Sequence, residues 1–141
     1  MTAHALLALF LLTIDSPSQI IDAIPAGSDR TAACHRTGRA TGPAVTVRGR
    51  LFAANGGGSG YRIWPVGTKR ILWVSWRVDP PLPDTVFHSF RPFDEELYGD
   101  FTLVPLGPDR PGVMREMCFV AAANLTVRDT QSGARRILEG K

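Results

Sequence analysis

The residues of this chain that could do chemistry fall into four groups. Asp94, Glu95, Glu96 and Asp100 form an acidic cluster, "DEELYGD". Paired carboxylates can act as acid and base in glycoside hydrolysis, but they must flank the scissile bond from two sides. These four lie in one short segment, so helix N-terminal charge and strand-edge ion pairing explain them better. Cys34, His35, His88 and Cys118 could in principle hold a metal or form a Cys–His nucleophile. No Cys-x-x-Cys or His-x-x-x-His spacing is present, so neither metal nor cofactor is expected. Gly67-Thr68-Lys69 has the wrong order for a phosphate loop, which needs Gly-Lys-Ser/Thr opening a helix. The fourth group is cationic and aromatic: Arg48, Arg50, Arg62, Trp64, Lys69 and Arg70.

That group draws its interest from alternation. In "AVTVRGRLFAAN", Val45, Val47, Gly49, Leu51 and Ala53 share one face and Thr46, Arg48, Arg50 and Phe52 the other. Strict alternation marks a half-buried strand. Gly49 on the inner face permits a tight bend, as barrel strands require. In "YRIWPV", Tyr61 and Ile63 oppose Arg62 and Trp64, and Pro65 ends or bulges the strand. If the two strands pair, Arg48, Arg50, Arg62 and Trp64 converge on one outer patch, with Lys69 and Arg70 beside the turn. The structural reading of the same side chains is that Trp64 closes a barrel end while the arginines pair with acids or pack their stems.

The remaining elements must position this patch. Gly67-Thr68 suits a type II′ hairpin turn. "KRILWVSWRV" is expected to form a strand with Leu72, Val74, Trp76 and Val78 on one face and Ile71, Trp73 and Ser75 on the other, both largely apolar, so that the second face needs a cover as well. "DPPLPD" stops that strand, and Phe93 to Tyr98 is expected to form a short helical turn before Gly99. "DFTLVPL" alternates again. "VMREMCFVAAANLTVRD" reads as a strand pair or one long bent strand, with Ala121-Ala122-Ala123 at the bend. Three strands, a Pro-broken connector with a short helix and two more strands give an all-β fold. The expected architecture is a small five-stranded OB-like Greek-key barrel, with a small β-sandwich as the alternative.

With 141 residues the chain makes one domain. Ala5 to Ile14 is an apolar run suited to a secretory signal and short for a membrane span. The expected organisation is a signal peptide over 1–26, an extended lead-in over 27–43, the barrel over 44–129 and a flexible tail over 130–141. No other stretch is long enough to span a bilayer. Removing 1–26 takes away Asp15 and Asp22 and no cation, so the formal charge rises from +3 to +5. Fourteen of the sixteen cations are arginines, a composition that attracts anions. Two cysteines in an exported chain most simply form one disulfide, Cys34 to Cys118.

The segments "VTVRGRL", "YRIWPVGTKRIL", "YGDFTLVPL", "RPGVMREMCFV" and "NLTVR" together resemble a group of small exported proteobacterial proteins of uncharacterised activity. The likeness spans roughly Val45 to Arg128, and Arg62 to Arg70 is its most specific piece. It implies export and a compact β domain, and brings no catalytic residues with it.

The sequence therefore points to a periplasmic or secreted binding or structural module rather than an enzyme. Its partner is unspecified: the cationic-aromatic patch suits an anionic small molecule, a glycan or an envelope protein ahead of nucleic acid. Two other readings stand beside it: a cytoplasmic OB-fold nucleic-acid-binding protein, and an envelope enzyme whose site is not recognisable.

Overall fold

The computed structural model describes residues 30–55 and 60–138. The expected signal peptide lies outside them. Among the described residues the elements are α1 (Arg30–Arg36), β1 (Val45–Ala54), β2 (Gly60–Pro65), β3 (Leu72–Val74), α2 (Asp84–Phe87), β4 (Glu95–Leu106), β5 (Arg115–Asp129) and β6 (Arg135–Ile137). Strands β1 and β2, β1 and β4, β2 and β3, and β4 and β5 pair antiparallel. β3 pairs parallel with β5, which closes the first five strands into a barrel. The expected small barrel is what forms, and the sandwich alternative falls away with the closure.

Closure follows from inward side chains that are apolar and from glycines that let strands approach. Leu51, Ile63, Leu97, Phe101, Leu103 and Phe119 are fully enclosed. Phe101 and Phe119 pack with ring centroids 5.7 Å apart. Leu82, Val86 and Phe90, from α2 and its flanks, seal the same core. Gly49 of β1 pairs with Gly99 of β4. A Cβ on Gly49 would stand 2.8 Å from the Trp64 carbonyl oxygen, and one on Gly99 would stand 2.5 Å from Leu125 Cδ2. Both positions need glycine because neighbouring strands come too close for a side chain. The β4–β5 ladder shifts register between Tyr98 and Asp100 and between Thr102 and Leu103. These irregularities flank Ala121 to Ala123, and Asn124 takes φ 54° at one of them. β5 is thus one long bent strand.

Five expectations need correction. The lead-in is not extended throughout: α1 packs Ala33 and Cys34 against Val104, Leu106 and Cys118 on the outside of the barrel. The Cys34–Cys118 disulfide ties it there. Arg30 is buried and donates from Nε to the Phe119 carbonyl at 2.9 Å and from Nη2 to the Pro80 carbonyl at 2.7 Å. Tertiary contacts, not propensity, hold this helix. The short helix before the fourth strand is α2, not Phe93 to Tyr98. Phe93 takes φ 72°, which breaks a helix there and leads the chain into β4 from Glu95.

β3 is shorter than expected and its second half departs from alternation. Ser75 is buried and donates to Glu116 Oε1 at 2.7 Å, so Trp76 turns outward at 66% exposure instead of lining the core. The turn after β2 also differs. The Thr68 N–H donates to the Pro65 carbonyl and Gly67 has φ 74°, so Gly67 is the second central residue, as in a type II turn. Finally, the tail forms β6 against β5. The Leu138 N–H donates to the Leu125 carbonyl at 2.9 Å. Arg136 reaches Glu95 Oε2 and the Ser89 carbonyl at 3.2 and 3.0 Å.

Candidate functional site

The outward face of β1 and β2 carries the patch that alternation predicts. Register pairs Arg50 with Trp64 on β2 and with Tyr98 on β4. The Arg50 guanidinium lies 5.0 Å from the Trp64 ring centroid and 5.2 Å from that of Phe52. Both contacts are within cation–π range. A cavity of 270 Å³ opens here between Trp64, Tyr98 and the Pro65–Gly67 turn, with Arg50 on its wall. Trp64 remains 39% exposed, and its indole N–H donates to the Thr68 carbonyl at 2.7 Å, which fixes the ring edge.

Behind the arginine stands Glu96, mostly enclosed. Its Oε1 is 3.4 Å from Arg50 Nη1 and its Oε2 is 3.7 Å from Arg128 Nη1. The Tyr98 hydroxyl donates to Oε2 at 3.2 Å. The site therefore combines aromatic walls with a guanidinium, a carboxylate and a phenol whose positions are mutually braced.

The six predicted residues do not all meet. Arg50 and Trp64 do. Arg62 shares their face and sits between its register partners Phe52 and Trp73. Arg48 is drawn to Asp100 at 3.0 Å. Asp100 also accepts from Asn124 Nδ2 at 2.7 Å, and these two bonds, the asparagine's first, hold its carboxyl below the usual range. Lys69 and Arg70 face a separate cavity of 490 Å³ beside Pro111 to Met114. Arg70 is ion-paired with Asp109 and donates to the Val113 carbonyl at 3.4 Å, so it pins the β4–β5 loop. Three further residues around Arg50, namely Phe52, Glu96 and Tyr98, were outside the predicted set. Phe52 was visible in the alternation of β1. Glu96 and Tyr98 were missed because Phe93 to Tyr98 was expected to be a helical turn, whereas both residues lie on β4.

No protein-family model matches the chain, and neither the curated proteins nor the solved structures contain a match.

Proposed function

We propose that this chain is an exported, non-enzymatic OB-type barrel that binds a glycan through the cleft around Arg50, Trp64 and Tyr98. Five-strand closure with a helix between the third and fourth strands supports the OB-type reading, and folds of that type bind oligosaccharides and oligonucleotides on the face of their second and third strands, to which Trp64 of β2 belongs. The Cys34–Cys118 disulfide supports export to the periplasm or beyond, where such bonds persist. Among the described residues no helix is long and apolar enough to cross a membrane.

One observation carries the choice of ligand: Arg50 is bracketed by two rings and ion-paired at the same time. Exposed aromatic faces stack on the C–H faces of sugar rings. A guanidinium, a carboxylate and a phenol held in place offer donors and acceptors to hydroxyl groups. The pairing of Arg48 with Asp100 and of Arg50 and Arg128 with Glu96 offsets much of the positive charge. A polyphosphate backbone calls for the opposite, a stripe of uncompensated cations.

Tryptophan fluorescence and NMR titration test this reading. The probes are chito- and cello-oligosaccharides, an oligogalacturonate and an oligo-dT strand. Quenching by a glycan, weakened at least about tenfold in Trp64→Ala with the fold intact, is the expected result. Binding of oligo-dT alone, with a steep salt dependence, would replace the glycan reading with a nucleic-acid one.

A further inference from the structure

A second aromatic pair lies on the same outer face, one strand beyond the cleft. Trp73 of β3 is the register partner of Arg62, and Arg62 lies two residues along β2 from Trp64. Trp76 packs edge-on against Trp73, with centroids 5.9 Å apart and planes at 77°. At 66% exposure Trp76 contributes little to any core. An exposed tryptophan braced by another aromatic ring is the composition of an interface, not of a solvated surface.

The segment that presents Trp76 is held in place. Ser75 donates its hydroxyl to Glu116 Oε1 at 2.7 Å, and Arg77 Nε donates to the same oxygen at 2.8 Å. The Arg77 N–H donates to Ser75 Oγ at 3.2 Å. Trp76 is thus bracketed on both sides by residues fixed on Glu116. Such bracing lowers the ordering cost of binding.

Strand geometry sets the spacing. Two residues along a strand and one strand across place Trp64 and Trp73 about 8 Å apart at the backbone. A linear chain of sugar rings lying in that direction passes over both platforms, with Arg62 between them.

We infer that Trp73 and Trp76 form a second stacking subsite, and that the ligand is a linear oligosaccharide lying across β1, β2 and β3. This inference rests on the glycan reading of the Arg50–Trp64 cleft and extends it to a chain-length requirement.

The test measures affinity for chito- and cello-oligosaccharides and oligogalacturonates from monosaccharide to hexasaccharide, with wild type, Trp76→Ala, Trp76→Phe and Trp64→Ala. Thermal melts check that each variant folds. In the wild type the longest chain should bind about tenfold more tightly than the monosaccharide, the order of one stacking contact. Trp76→Ala should erase that gain and leave monosaccharide affinity unchanged, and Trp76→Phe should keep most of the gain. Trp64→Ala should weaken every length. Equal affinity at all lengths, or the full gain in Trp76→Ala, overturns the second subsite while leaving the cleft reading in place. If none of the three series binds the wild type, the cleft reading fails and the second subsite falls with it.

Discussion

Arg50 and Trp64 face each other across β1 and β2, the guanidinium 5.0 Å from the indole centroid, while Glu96 holds the same guanidinium from the β4 side. The arginine is therefore fixed by a flat partner and by a charged one. A planar guanidinium satisfies both at once, and an ammonium does not.

Arg50→Lys separates these two roles. It keeps the charge opposite Glu96 and loses the stacked plane between Phe52 and Trp64. Cation–π contacts at such sites are worth about 0.5–1 kcal/mol each, so a stability loss of about 1 kcal/mol is expected in urea unfolding. Glycan affinity should fall further than that loss suggests, because the wall of the cleft loses its shape. Unchanged affinity would show that Arg50 only braces Trp64.

The Cys34–Cys118 bond closes a loop with a sequence separation of 84 residues. A loop of this length is expected to stabilise the fold by about 4–5 kcal/mol in the chain-entropy model, an upper figure. Cys34→Ala/Cys118→Ala should lower the unfolding free energy by about 2–4 kcal/mol, and α1 should lose its amide protection before the barrel does. Hydrogen exchange resolves that order. Alkylation without reductant should leave the wild-type mass unchanged.

Gly99 offers a test of barrel closure independent of the site. A methyl group there meets the Ala123 carbonyl oxygen at 2.9 Å as well as Leu125 Cδ2 at 2.5 Å. The leucine can move, but the backbone carbonyl cannot without disturbing the bulge. Gly99→Ala is expected to cost about 1–3 kcal/mol, read as a lower urea midpoint. A variant as stable as wild type would mean that the β4–β5 irregularity adapts freely.

How much of this was legible in the sequence depends on what held each element. β1 and β2 could be read because inward and outward side chains alternate without a break from Val45 to Ala53 and from Tyr61 to Trp64. That placed Arg50 and Trp64 outward, but only the register shows that they are partners. The end of β3 was misread because Trp76 carries the hydrophobic signal and Ser75 the buried position, fixed by a hydrogen bond to a residue forty-one positions away. α1 left no pattern because a distant cysteine and the Phe119 carbonyl stabilise it. β6 was hidden by its composition: Arg135 and Arg136 look like a solvated tail until Arg136 meets Glu95.

Glu95 makes the last prediction, a pH dependence. Its side chain is 9% exposed and accepts the Arg91 N–H at 2.8 Å, Arg91 Nε at 3.2 Å and Arg136 Nη2 at 3.2 Å. The Arg91 backbone bond is the largest cause of a carboxyl held below the ordinary glutamate value of 4.5, and burial opposes it in part. With the folded value depressed, the unfolded chain takes up the proton first as pH falls. The contribution of Glu95 is therefore complete above 4.5 and disappears as pH drops through the lower, folded-state value. Glu95→Gln should cost about 1–2 kcal/mol at neutral pH, since the amide oxygen can still accept one bond and the two arginines are too exposed to be stranded. The variant's stability should also decline less steeply on acidification. Some decline should persist, because Asp129, held low first by the Ser132 and Gln131 N–H groups, and Asp100 are unaltered. Urea unfolding of both proteins from neutral pH into the acid range measures the difference, and parallel curves would show that Glu95 does not couple folding to protons.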